Sequence, residues 1–214
     1  MSALTLYIGD KNLSSWSLRP WLILKQAGVP FTEKMIRLGR KTTGAAILDK
    51  SPNGLVPCLV DGGVTVWDSL AIAEYLAETI PEKKLWPEDK SARAEARAVS
   101  AEMHSGFSAL RTVWPMVFSR EAMRHIQPDA VKKDVARIAD IWTNAREKFG
   151  TGGPFLFGQF SIADAMYAPV VSRFVTYGPV DLPKPAAEWR DMMFSLPAMK
   201  EWGEGARAEV AAQG

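Results

Sequence analysis

The residues best suited to chemistry crowd into one run, Ser14-Ser15-Trp16-Ser17-Leu18-Arg19, between the first predicted strand and the first predicted helix. The first N–H groups of a helix have no partner within it, so hydroxyls there are ready donors toward an anion. A thiol with its ordinary pKa of roughly 8.5 is mostly protonated at neutral pH, and the thiolate is the nucleophile. A hydroxyl donating to sulfur, together with the helix-end dipole, would lower that pKa. The single cysteine, Cys58, follows Pro57 in a strand and should point elsewhere. The alternative for the serines is simple N-capping. Arg19 could hold the sulfur electrostatically or pair with a surface carboxylate.

A second constellation runs from Asn53 to Ser69. Proline lacks an N–H, and X–Pro bonds are the ones that can be cis. A cis Val56-Pro57 bond would turn the chain and leave the backbone groups of Val56 free, as a template for an extended peptide. The run Pro57 to Val60, the turn Asp61-Gly62-Gly63 and the run Val64 to Trp67 read as a hairpin. Asp68-Ser69 then opens a helix whose apolar face carries Ile72, Tyr75, Leu76 and Ile80. The alternative is a plain hairpin followed by a capped helix.

Pro52-Asn53-Gly54-Leu55-Val56-Pro57, the hairpin, and Asp68-Ser69-x-Ala71-Ile72-x-x-Tyr75-Leu76 together resemble the glutathione-binding half of the glutathione S-transferase superfamily. The family usually has Glu-Ser or Gln-Ser where this chain has Asp68-Ser69. The serine run is similar to the zeta-class pattern Ser-Ser-x-Ser-x-Arg, although zeta members usually carry Cys at Trp16 and Trp at Leu18. The resemblance implies glutathione as co-substrate, with Ser14 as first candidate for the thiolate-stabilising hydroxyl, Ser15 second and Ser17 as a cap. Tyr7, at the end of the first strand, is an alternative, because some classes use a tyrosine there. The resemblance further implies that the Val56 main chain meets the cysteinyl unit. Asp68 would take the γ-glutamyl ammonium and Ser69 its carboxylate. Lys41, with Arg40 as rival, would meet the glycyl carboxylate. An electrophile pocket would draw on Trp16, His104, Arg111 and Trp114, the His104–Arg111 spacing being similar to that of zeta members with carboxylate substrates. His104 and Arg111 could instead make interface or interdomain pairs. A homodimer is also implied.

These residues must be positioned by the elements around them. Leu4, Leu6 and Ile8 alternate with Thr5 and Tyr7 as a strand; a helix runs from about Ser17 to Ala27, stopped by Gly28 and Pro30; Phe31 to Leu38 reads as a second strand. A short helical piece covers Ala45 to Leu48, before the hairpin and a helix to about Thr79. The order βαβ then ββα is thioredoxin-like, an α/β domain with a mixed four-stranded sheet, over residues 1–80. Residues 81–89 read as a linker by their prolines and charges. Residues 90–214 lose the strand signal and read as an all-α domain. Its first helix should span Ala92 to about Arg120 with a kink or break at Pro115. Asp129 to Phe149 follows, then an apolar helix from a Ser161/Asp164 capping box through Val175, and two shorter helices near Glu188–Phe194 and Ala198–Val210. The Gly158-x-x-Ser161-x-Ala163-Asp164 signature resembles the helix-capping motif of the same family, whose role is in folding.

Composition narrows the function classes. The chain has 214 residues and a formal net charge of +2, which gives no strong pull toward nucleic acid or an anionic membrane. One cysteine excludes an internal disulfide framework and suits a reducing cytosol. No apolar run is long enough to span a bilayer, and Met1-Ser2-Ala3 does not read as a signal peptide. With two distant histidines, His104 and His125, no metal site is expected. No nucleotide-binding glycine pattern is present. What the resemblance implies remains the leading expectation: an enzyme that transfers glutathione to a small electrophile or isomerises it. The alternative is a non-catalytic binding module on the same fold. A glutathione-dependent peroxidase or disulfide reductase would want cysteine where Ser14-Ser15 stands.

Overall fold

The computed structural model describes residues 4–123 and 125–212. The leader reading on Met1-Ser2-Ala3 lies outside them. The N-terminal part is β1 (Leu4–Ile8), α1 (Ser15–Gln26), β2 (Phe31–Met35), α2 (Thr43–Leu48), β3 (Cys58–Asp61), β4 (Val64–Trp67) and α3 (Ser69–Thr79). The strands form one sheet in the order β2-β1-β3-β4, with β1 parallel to β2 and antiparallel to β3. This is the expected mixed, thioredoxin-like sheet. A 3-10 turn at Pro81–Lys83 leads into α4 (Lys90–Ser105), α5 (Ser108–Val113), α6 (Asp129–Phe149), α7 (Ile162–Thr176), α8 (Lys184–Ser195) and α9 (Pro197–Ala211). Among the described residues no helix is long and apolar enough to cross a membrane.

Alternation in β1 buries Leu4, Leu6 and Ile8 against α1, which is itself buried from Leu18 to Leu24. Helix α1 packs on α3 and on α7 and α9, so it is the seam between sheet and bundle. α1 begins at Ser15, two residues before the expected start, and Pro20 therefore falls inside the helix. The carbonyl of Trp16, four residues earlier, loses its helical donor there.

The long helix does stop before Pro115, α5 ending at Val113, but it also breaks earlier, at Gly106-Phe107. α4 ends at Ser105, and Phe107 takes a left-handed conformation with φ 56°. The restart is fixed from outside, because Asp134 on α6 accepts the N–H of Leu110 at 2.9 Å. That partner is remote in sequence, which is why periodicity alone missed the break. β2 is three residues shorter than expected, because Asp10 captures the Leu38 N–H at 2.6 Å and turns the chain out of the sheet.

The capping box forms as read. Asp164, fully buried, accepts the N–H of Ser161 at 2.9 Å, that of Leu156 at 2.9 Å and the indole N–H of Trp189 at 2.9 Å. One carboxylate thus ties the start of α7 to the preceding loop and to α8. Asp164→Ala strands three buried donors and should cost about 3 kcal/mol or more of stability. Denaturant unfolding checks this; a loss no larger than that of an exposed acid would contradict it.

Candidate active site

A cleft of about 260 Å³ opens where the two parts of the chain meet. It is lined by Trp16 from α1, by Asn53, Leu55, Val56 and Pro57 from the loop before β3, by Asp68 and Ser69 at the start of α3, and by His104 from α4. The Val56-Pro57 bond is cis. Val56 lies outside the strands. Asn53 holds the loop in shape: its side-chain carbonyl accepts the Leu55 N–H at 3.0 Å and the Ser51 hydroxyl at 2.9 Å.

Asp68 sits at φ 74° and caps α3, one carboxylate oxygen accepting the N–H groups of Leu70 at 2.8 Å and Ala71 at 3.2 Å. The other oxygen faces His104 Nε2 at 3.2 Å, which closes the cleft across the seam. Ser69 is 1% exposed, and its hydroxyl oxygen accepts from Arg19 Nη1 at 3.3 Å. That leaves the Ser69 O–H for a ligand.

Arg19 is the most constrained charge here. It is buried, forms no ion pair among the described residues, and its Nε has no hydrogen-bond partner. Its guanidinium lies over the Trp16 ring at 4.2 Å. Burial, with repulsion from Arg173 and Arg111, pushes its pKa down to about 9, against the pull of Asp68; it stays a cation at neutral pH. Of the two alternatives for Arg19, the pairing with a surface carboxylate does not form among the described residues. Arg111 lies 5.0 Å from the Trp16 ring centroid and donates to the His104 carbonyl at 3.2 Å. Trp16 thus stands among two guanidinium groups and the His104 ring, 5.3 Å away.

Other expected residues lie elsewhere. Trp114 is fully buried in the helical core, stacked on Tyr177 at 5.5 Å, with its indole N–H on the Ile126 carbonyl, so it does not line the cleft. Lys41 and Arg40 are exposed between β2 and α2 and do not line it either. Ser14 and Ser15 are buried to 6% and 8% exposure and are not in its lining; Ser14 Oγ is 2.7 Å from Ser17 Oγ. Ser17 is internal to α1 and accepts the Gly9 N–H at 3.0 Å, so it is not the helix cap. Tyr7 is half-buried in β1, paired in register with Cys58 and Lys34.

Arg173 is a charge the sequence reading passed over. It is buried in α7, bonded to the carbonyls of Trp114 and Pro169, and burial holds its pKa down near 10. The signal was available: Arg173 is the only charge between Ala165 and Thr176.

The N-terminal domain profile of glutathione S-transferases matches residues 13–79, and the C-terminal domain profile of the same family matches residues 94–202. The chain belongs to the glutathione S-transferase family. A maleylacetoacetate isomerase of Rattus norvegicus is 31% identical over 172 residues, covering 78% of this chain and 76% of its own. Among solved structures, a Burkholderia glutathione transferase homologue with bound glutathione superposes with a TM-score of 0.70 at 24% identity, over 97% of this chain and 99% of its own. A Drosophila mojavensis homologue, also with bound glutathione, gives 0.72 at 24% identity, over 99% and 96%. At that identity the structural likeness speaks to the fold, which it shares from end to end.

His104 supplies a pH dependence. Burial is the main cause that lowers its pKa from the ordinary 6.5; Arg19 and Arg111 add to this, and Asp68 opposes it. A histidine with a lowered folded pKa binds its proton better when unfolded, so folding is penalised as pH falls below about 6.5 and is free of the penalty above it. Unfolding at pH 5 and pH 8 should therefore show a stability difference that shrinks in His104→Gln. An unchanged difference would contradict the assignment.

Proposed function

We propose that this glutathione transferase holds glutathione in the interdomain cleft and keeps its sulfur ionised for attack on, or isomerisation of, a small electrophile. The observation that carries the reading is the convergence of Val56, Asp68 and Ser69 with Trp16 and His104 on one cleft above the buried Arg19. The Val56 main chain would pair with the cysteinyl unit. The Ser69 hydroxyl and its own N–H, the one in the first turn of α3 not taken by Asp68, would hold the γ-glutamyl carboxylate. Asp68 would hold the ammonium through the oxygen that now faces His104, since its other oxygen is committed to capping. Lys41 would meet the glycyl carboxylate by moving its exposed side chain.

Ser14 is the hydroxyl proposed to donate to the sulfur, with Ser15 next. Sulfur reached by that hydroxyl would also feel Arg19, whose unpaired, desolvated charge favours any anion near it. Trp16, His104 and Arg111 would form the electrophile side, and the Arg111 guanidinium favours an anionic partner. The similarity to a maleylacetoacetate isomerase supports including cis-unsaturated diacids among the substrates tested. A homodimer is part of the proposal: Val64 and Trp67 on the edge strand β4, and Leu48 and Leu55 nearby in sequence, are apolar and exposed. So are the division of the chain at residues 81–89 and a cytosolic location.

Turnover with glutathione against aryl halides, hydroperoxides and cis-unsaturated diacids tests the activity; no turnover with any of them would contradict it. Ser14→Ala should lower kcat about a hundredfold while leaving glutathione affinity near its original value. Ser69→Ala should weaken glutathione binding about tenfold, the loss of one hydrogen bond to a charged group. Calorimetry checks the second, and an unchanged affinity would remove Ser69 from the site.

A further inference from the structure

We propose that Ser17 is a positioning residue that sets the direction of the Ser14 hydroxyl proton. The hydrogen bonds run from the Gly9 N–H to Ser17 Oγ, from the Ser17 O–H to Ser14 Oγ, and from the Ser14 O–H to the ligand sulfur. This rests on the reading of Ser14 as the hydroxyl that holds the thiolate.

The argument is one of donors and acceptors. Ser17 is fully buried, and its oxygen already accepts the Gly9 N–H at 3.0 Å. Its own hydrogen needs an acceptor, because a buried hydroxyl hydrogen without one is costly. Among the described residues the acceptor within reach is Ser14 Oγ, at 2.7 Å. If Ser14 donated instead, the hydrogen stranded would be that of Ser17, which is wholly buried, rather than that of Ser14, which keeps 6% of its surface exposed and can meet a ligand. The direction is therefore set by the backbone of Gly9, the residue that follows β1.

Ser14 bears this out in its own bonding. It stands at the N-cap of α1, yet its side chain caps no N–H. Its oxygen is occupied by the Ser17 hydroxyl, and its hydrogen meets no protein acceptor among the described residues. Gly9 keeps the pair close: a Cβ at position 9 would lie 3.0 Å from the Ser14 Cβ and 2.9 Å from a Leu38 methyl group. A serine whose lone pair accepts a hydrogen bond is also the better donor, because chained hydroxyls polarise one another. Ser17 thus prepares Ser14 without touching the ligand.

The test compares Ser17→Ala, Ser14→Ala and the double variant in the full-length protein. An activated aryl halide is the electrophile, and thiolate ultraviolet absorbance reports the midpoint of bound glutathione. Ser17→Ala should raise that midpoint and lower kcat about tenfold, with the KM for glutathione within about twofold. The double variant should be no worse than Ser14→Ala alone, because Ser17 acts only through Ser14. A normal midpoint and kcat in Ser17→Ala beside a shifted midpoint in Ser14→Ala overturns the proposal and leaves the Ser14 reading standing. A normal midpoint in Ser14→Ala removes that reading as well. Thermal unfolding establishes that each variant is folded. Should Ser17→Ala not fold, Ser17→Cys carries the test through its weak S–H donor. A midpoint displaced toward that of Ser14→Ala then supports the chain of hydroxyls, and an unchanged one overturns it.

Discussion

A buried guanidinium without a carboxylate is the constraint around which this site is arranged. Taking Arg19 out of water carries a large desolvation penalty, and the usual remedy is a paired acid. Here the compensation comes from the Trp16 face and the Ser69 hydroxyl. Arg111 and Arg173 add repulsion, and Asp68, the carboxylate that opposes it, is shared between a helix cap and His104. The seam between the two parts of the chain is thus left with surplus positive charge behind the Trp16, Asp68, Ser69 and His104 wall of the cleft. On the proposed reading, a thiolate or carboxylate entering that cleft would supply the missing counter-charge and relieve a cost already built into the folded protein.

The elements follow from this requirement. Helix α1 carries Ser14, Trp16, Ser17 and Arg19 in one turn and a half, and it is buried between the sheet and helices α3, α7 and α9. A side chain on such a helix has little room to move, which suits residues that must hold fixed positions. The loop before it is tied to the C-terminal part at several points. Asn12 accepts the N–H groups of Phe118 and Ser119 and donates its own to Glu209, and the Trp202 indole donates to the Lys11 carbonyl at 2.7 Å. The helical bundle therefore supports the serine run as well as covering the cleft.

Local patterns in the sequence were enough to read the elements whose signals are local. The alternation of β1, the Asp61-Gly62-Gly63 turn, the α6 stripe and the Ser161/Asp164 box all appear where the residues point. The break after Ser105 was not legible, because Asp134, twenty-four residues away, fixes the restart. The same holds for the site. Val56, Asp68, Ser69, Trp16 and His104 meet because a hairpin and a helix start are brought against α1 and α4, and each had a recognisable local setting. Trp114 was misplaced because spacing along a helix could not tell the core face from the cleft face once the helix broke. Arg19 was visible as a charge, but whether it faced water or the seam depends on α7, far along the chain. Ser17 looked like a cap because the residue that binds it, Gly9 in the loop after β1, is not suggested by any helix signal.

The central claim is that this seam ionises a thiol delivered to it. The most direct measurement is the pH titration of glutathione bound to the unaltered protein, followed by thiolate absorbance. The account predicts a midpoint well below the roughly 8.5 of an unperturbed thiol, with the thiolate dominant at neutral pH. A bound thiol that titrates where the free one does would contradict it.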